Sequence, residues 1–199
     1  KILIVNGDDK EAEKFLTLSV PSKVKFTAKD AGPYELKEEG ALITFAGQEI
    51  QTQLPGLFNV YNMLGAAFYA KSQGVKPEQI KSALEKFSGV PGRMQKVFAT
   101  FHKDKQNFEV IVDYAHTADS LYAAYSVYAG KRKLICVLGS CGGGRDKWKR
   151  PAMGKVANNY CDEIILTNED PYDEDPKCIV DDVATGIEKG YDVIMDRRD

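Results

Sequence analysis

From residue 108 onward the chain repeats one device: a short apolar run, a stretch of helix length, then another run. The runs are FEVIV (108–112), KLICVLG (133–139), EIILT (163–167) and YDVIM (191–195), and helices are predicted between them at about 118–129, 150–160 and 176–189. Strands that are apolar on both faces need cover on both, and strands linked through helices run parallel. The second half therefore predicts a parallel α/β sheet. Such sheets bind ligands outside the carboxyl ends of their strands, which locates the candidate chemistry in three loops: Asp113–Thr117, Gly139–Arg150 and Thr167–Asp175.

The first half has another rhythm. ILIV (2–5) runs into a polar turn and a short helix from about Asp9 to Leu16. KVKFTA (23–28), PYELKE (33–38), ALITFA (41–46) and QEIQTQL (48–54) alternate apolar and polar residues, the pattern of antiparallel strands wet on one face. Pro55-Gly56 breaks the alternation. LFNVYNMLGAAFYAKSQG (57–74) reads as a helix closed by Gly74, and Pro77 opens another through about Phe87. GVPGR (89–93) has the composition of a hinge, and MQKVFATFH (94–102) resumes as a strand. At 199 residues and 43% apolar, the chain can bury one sizeable core or two modest ones, and the hinge divides 1–90 from 91–199. Lys1 stands directly before one strand and Asp199 just after another, so a piece of a longer protein is expected.

Net charge is −2 with both signs interspersed, so nucleic acid is not an expected partner. No apolar run reaches the ~18–20 residues of a membrane helix, and the amino end has no signal-peptide pattern. Cys136, Cys141, Cys161 and Cys178 form no CxxC pair, so reduced thiols in the cytoplasm and no metal site are expected.

Each loop offers a ligand and a plainer role. In DYAHT (113–117), Asp113 can reach a ribose hydroxyl or a cation, and His116 and Thr117 a phosphate or carboxylate. Equally, Asp113 or Thr117 can cap the following helix and His116 can lie on the surface. In GSCGGGRDKWKR (139–150), Gly142, Gly143 and Gly144 let backbone N–H groups approach an anion, with Arg145, Lys147, Lys149 and Arg150 adding charge. No Gly-Lys-Ser/Thr ends the loop and no GxGxxG is present, so it is neither a Walker loop nor a dinucleotide fingerprint. TNEDPYDEDP (167–176) suits an amine or a metal, or is a solvated acidic cap. Asn59 and Asn62 in FNVYN share a helix face and read as caps or as contacts to a purine edge.

Taken in order, LFNVYN, PGRMQKV, VDYAHTAD, GSCGGGRDKWKRPAMG and TNEDPYDEDP resemble the motifs of the Mur ligases. Within them the likeness is to the MurE-type branch, which adds diaminopimelate or lysine to UDP-N-acetylmuramoyl-L-alanyl-D-glutamate. It runs over essentially the whole chain and is strongest from 55 to 176. It implies that 1–90 is the second half of a central ATPase domain, antiparallel strands plus helices. It implies that 91–199 is most of a Rossmann-like, mostly parallel carboxy-terminal domain. The UDP-sugar domain, the Walker loop and the carbamylated lysine that binds magnesium would fall outside. By the same resemblance Asn59 and Asn62 flank adenine, and Arg93 and Asp113 hold phosphates and ribose when the domains close. His116 and Thr117 sit on the acyl-phosphate side, and Arg145 binds the incoming amino acid's carboxylate. ATP and Mg2+ are implied as cofactors, with the metal ligands mostly beyond this stretch. The implied partners are the UDP-muramoyl dipeptide, the amino acid and ATP, and the implied setting is a cytoplasmic monomer serving peptidoglycan synthesis, cell shape and division.

One departure bears on the substrate. Diaminopimelate-adding members carry Asp-Asn-Pro-Arg where this chain has Glu169-Asp170-Pro171-Tyr172. A tyrosine cannot form the arginine's bidentate pair with a carboxylate, while Glu169 and Asp170 favour an ammonium group. Lysine or another diamino acid stays open, and a loop re-registered on a neighbouring arginine would restore diaminopimelate. Two other readings stand beside this one: a folylpolyglutamate synthase-like ligase, and a fragment that binds ligand without catalysis.

Overall fold

The computed structural model describes residues 1–98, 106–144 and 146–198. The chain forms two compact units, Lys1–Val112 and Asp113–Asp199.

In the first unit β1 (Ile2–Asn6) leads through α1 (Ala12–Leu16) to β2 (Ser22–Phe26), and β2 lies parallel to β1 with Ile4 opposite Val24. The alternation in KVKF predicted an antiparallel strand, and the structure corrects this. Alternation reports a wet face and not a direction, and the helical excursion brings the chain back to run the same way. β3 (Glu35–Lys37), β4 (Gly40–Phe45) and β5 (Gln48–Thr52) are antiparallel as expected. The β4–β5 connection is Ala46-Gly47, both at positive φ (49° and 78°), the geometry that matches a two-residue hairpin to strand twist.

α2 (Leu57–Ser72) covers these strands. Val60, Met63, Leu64 and Ala67, spaced three and four apart, are the buried stripe and pack with Phe26, Ile43 and Phe45. Phe68 stacks on Phe26 at 5.7 Å and meets Phe45 edge-on at 5.1 Å. α3 (Pro77–Lys86) starts on its proline, where a missing N–H costs nothing. β6 (Gln95–Val97) and β7 (Val110–Val112) pair antiparallel with each other. The expected strands were longer and were grouped with the parallel sheet. Residues 99–105 lie outside the described set. Lys96 reaches Glu39 at 2.7 Å and Glu109 at 3.2 Å, holding this hairpin to the first unit.

The second unit follows the predicted alternation: α4 (Ala118–Ser126), β8 (Ile135–Leu138), α5 (Lys149–Tyr160), β9 (Glu163–Leu166), α6 (Pro176–Ala184) and β10 (Asp192–Val193). The strands are parallel in the order β10-β9-β8, with Leu138 opposite Leu166. Cys136, Leu138, Ile164 and Leu166 face a core completed by Leu121, Met153, Ala157, Val180 and Val183. α6 stops short of the predicted 189 because Thr185 and Gly186 turn the chain over α5. There a Cβ on Gly186 would stand 1.9 Å from the Pro151 carbonyl oxygen, and one on Gly154 would stand 2.0 Å from that of Val183. The two helices meet backbone to backbone. No helix among the described residues is long and apolar enough to cross a membrane.

Candidate functional site

β8 and β9 end side by side, the Thr167 amide donating to the Leu138 carbonyl at 3.0 Å, so the loops that follow them share one edge of the sheet. The glycine loop then lies directly on the acidic loop. Gly142 N–H donates to the Asp170 carbonyl at 2.9 Å. A Cβ on Gly142 would stand 2.1 Å from the Pro171 carbonyl oxygen, and one on Gly143 would stand 2.9 Å from the Tyr172 ring. At Gly142 the lack of a side chain serves close approach of protein to protein. Gly143 and Gly144 are exposed and take left-handed φ values of 70° and 72°. Tyr172 is left-handed too, at φ 54°, with its ring over Gly143.

Side chains tie the two loops further. The Cys141 thiol donates to a Glu169 carboxylate oxygen at 2.5 Å. Arg150 is 1% exposed. Its Nη1 donates to Glu174 at 3.1 Å and to Asp182 at 2.9 Å, and its Nη2 donates to Glu174 at 3.2 Å and to the Cys141 carbonyl at 3.1 Å. Lys147 approaches Glu174 at 2.8 Å. Arg150 first, then Lys147, hold the Glu174 carboxyl down at about 2, so it is ionised throughout the ordinary pH range. Arg150 was expected among the groups facing an anion. Its guanidinium is taken up inside the fold instead, and it braces both loops. Lys149 is buried at 9% exposure with no ion-pair partner among the described residues. Arg145, expected at the amino acid's carboxylate, lies outside the described residues. The loop pair at this edge thus carries the acidic side chains of Glu169 and Asp170 on one segment and the exposed glycines Gly143 and Gly144 on the other.

In DYAHT, Asp113 Oδ1 accepts from the Ala115 amide at 2.7 Å. Thr117 is the N-cap of α4, its hydroxyl accepting from the Ser120 amide at 3.3 Å and lying 2.8 Å from the Ser120 hydroxyl, so the capping role is filled. His116 Nδ1 lies 2.9 Å from the Tyr114 carbonyl. A carbonyl only accepts, so Nδ1 is the donor in this bond.

In the first unit Asn59 and Asn62 share the start of α2, as their spacing predicted. Asn59 Nδ2 donates to the Pro55 carbonyl at 2.8 Å, and Asn62 Nδ2 donates to Asn59 Oδ1 at 3.3 Å. Tyr61 donates to Asp8 at 3.0 Å, and the same Asp8 oxygen accepts the Ala28 amide at 2.7 Å. Burial first, then the Asp8 carboxylate, push the Tyr61 phenol up to about 12, which keeps it a donor. Sequence reading passed over Asp8 as a turn residue, since its partner lies 53 positions away. The links Cys141–Glu169 and Arg150–Asp182 escaped for the same reason. Arg93 is exposed in the turn between Gly92 (φ 71°) and Met94 (φ 46°). Among the described residues no group of three or more His, Cys, Asp or Glu could hold a metal ion.

The family model described as Mur ligase, glutamate ligase domain matches residues 92–199. The UDP-N-acetylmuramoyl-L-alanyl-D-glutamate--2,6-diaminopimelate ligase of Syntrophomonas wolfei is 38% identical, the match covering 98% of this chain and 42% of that protein. The chain therefore spans less than half the length of this relative. Of solved structures, MurF from Acinetobacter baumannii superposes with a TM-score of 0.77 at 19% identity, covering 98% of this chain and 42% of that one. Mycobacterium tuberculosis folylpolyglutamate synthase superposes with a TM-score of 0.74 at 15% identity, covering 100% and 46%. At those identities the two structures share the fold.

Proposed function

This chain belongs to the Mur ligase family, and on that premise we propose that it is part of an ATP-dependent ligase that adds a diamino acid to UDP-N-acetylmuramoyl-L-alanyl-D-glutamate in peptidoglycan synthesis. The observation that carries this reading is the interlocked loop pair at the strand ends, where Gly142 donates to the Asp170 carbonyl and Cys141 to the Glu169 carboxylate, with Gly143 and Gly144 following in exposed, left-handed backbone. The carboxylates would take the amine, and the glycine amides with Lys149 and Arg145 would take the carboxylate. Asn59 and Asn62 would flank adenine, and Arg93 and Asp113 the ribose and phosphates. His116 would sit on the acyl-phosphate side, with Thr117 fixing the loop as the α4 cap. We place the domain division at the 89–93 hinge, with 1–90 in the central domain. The family model's start at residue 92 supports that placement.

The chemistry would run in two steps. The substrate carboxylate attacks the γ-phosphate of ATP, giving an acyl phosphate and ADP. The amine then attacks the acyl carbon and expels phosphate. Positioning and charge stabilisation supply most of such a rate. The folylpolyglutamate reading has fold likeness alone behind it, while identity over nearly the whole chain favours the muramoyl substrate. Such a protein would work in the cytoplasm on small molecules, and the 199 residues alone, with no Gly-Lys-Ser/Thr loop, would not turn over.

The test uses the complete protein carrying this chain. With ATP, the UDP-muramoyl dipeptide and a diamino acid together, phosphate and amide product should form in equal amounts. Absence of product with every diamino acid tried would end the proposal. The amino acid itself is read by Tyr172→Arg. That change should raise the ratio of diaminopimelate to lysine use about tenfold or more, the scale of a charge-assisted pair, and an unchanged ratio would remove residue 172 from the pocket.

A further inference from the structure

We propose that Arg150 is a positioning residue for amino-acid recognition, clamping the glycine loop to the acidic loop so that Glu169 and Asp170 are preassembled for the substrate amine. The inference rests on the function proposed above and goes beyond it, since the buried Arg150 guanidinium is bonded to protein groups and acts through the loops it joins.

The geometry is that of a clamp. One fully buried guanidinium reaches three segments: the Cys141 carbonyl on the glycine loop, Glu174 on the acidic loop, and Asp182 on α6. Glu174 is met in a fork, by Nη1 at 3.1 Å and Nη2 at 3.2 Å, a geometry a lysine cannot reproduce. Directly beside the clamp, Gly142 donates to Asp170 and Cys141 donates to Glu169, so both candidate amine-binding residues belong to the clamped surface.

Stability is a poor reason to keep such a group. Arg150 Nε is buried without a hydrogen-bond partner, and burying a guanidinium costs desolvation that apolar packing of similar volume avoids. A residue with that cost is better matched to fixing a loop geometry than to holding the core together. Lys147 adds a second, exposed tether to Glu174, which charge alone suffices to provide.

Three substitutions in the complete protein test the clamp: Arg150→Met, Arg150→Lys and Glu174→Ala. The last removes only the acidic-loop arm and leaves Asp182 to pair with Arg150. Two quantities are read: hydrogen exchange at the Gly142 amide, which reports loop contact without any assay, and the KM values for amino acid and ATP. Arg150→Met and Glu174→Ala should speed exchange at Gly142 at least tenfold and raise the amino acid's KM at least tenfold, with the KM for ATP within twofold of the parent. Arg150→Lys should recover part of both losses. Glu174→Ala lies at the rim of the network, so it keeps the test open should Arg150→Met fail to fold. Unchanged exchange at Gly142 would overturn the clamp, and so would faster exchange with an unchanged amino-acid KM or equal rises in both KM values. A parent that makes no amide with any diamino acid would instead remove the proposed function, while the exchange data would still decide whether the loops are clamped.

Discussion

Replacing Gly154 with alanine should cost the second unit about 3 kcal/mol or more, at the upper end of what overpacking does to a core. The added Cβ would stand 2.0 Å from the Val183 carbonyl oxygen and 3.1 Å from its carbon, and backbone cannot swing aside as the end of a side chain can. Relief requires α5 and α6 to separate. That movement would open the contacts of Met153 and Ala157 with Val180 and Val183, all of them buried at 3% exposure or less. The ordinary helix benefit of alanine over glycine, up to about 1 kcal/mol, is far too small to offset this. Urea titration of the parent and the variant measures the difference directly. Gly190→Ala is the control, since nothing lies within 4 Å of its Cβ position and its φ is ordinary. A Gly154→Ala loss below about 1 kcal/mol would mean that the helices are not packed this closely.

How much of this was legible beforehand depends on the range of the interaction. The second unit was readable because its signal is local: apolar runs such as LICVLG and EIIL sit between helix-length segments, and parallel pairing follows from that order. The buried stripe of α2 was equally plain in the 3.6-residue spacing of Val60, Met63, Leu64 and Ala67. The direction of β2 was not, because KVKF alternates identically in either direction and only its pairing with β1 decides. The site divided in the same way. Asn59 and Asn62 share a helix face by spacing alone, and Thr117 as a cap was one of two readings that the residue type allows. By contrast, no local pattern says that Arg150 will meet Asp182 rather than solvent, since that depends on how α5 and α6 cross. The glycine run misled in a related way. Glycine permits close approach, but the sequence does not say to what, and for Gly142 the answer is the Pro171 carbonyl.

That contact sets the second large effect. Gly142→Ala in the complete protein should lower kcat/KM for the amino acid about 100-fold, the scale expected when reacting groups move by roughly an ångström. The new methyl group would stand 2.1 Å from the Pro171 oxygen and 3.1 Å from the Ile179 side chain, so the acidic loop must lift or the glycine loop must retreat. Either movement breaks the Gly142–Asp170 hydrogen bond and carries Glu169 away from Cys141. The hydrophobic core need not follow, because Gly142 lies beyond the end of β8 and the strand pairing of Leu138 with Leu166 is untouched. Stability should therefore fall far less than in Gly154→Ala, while recognition of the amine fails. Asn59 and Asn62, the proposed adenine contacts, sit in the other unit, so the KM for ATP should stay within about twofold. Parallel losses for ATP and amino acid would show that these loops do not select the amine. An unchanged kcat/KM would show that the amino acid binds elsewhere on the protein.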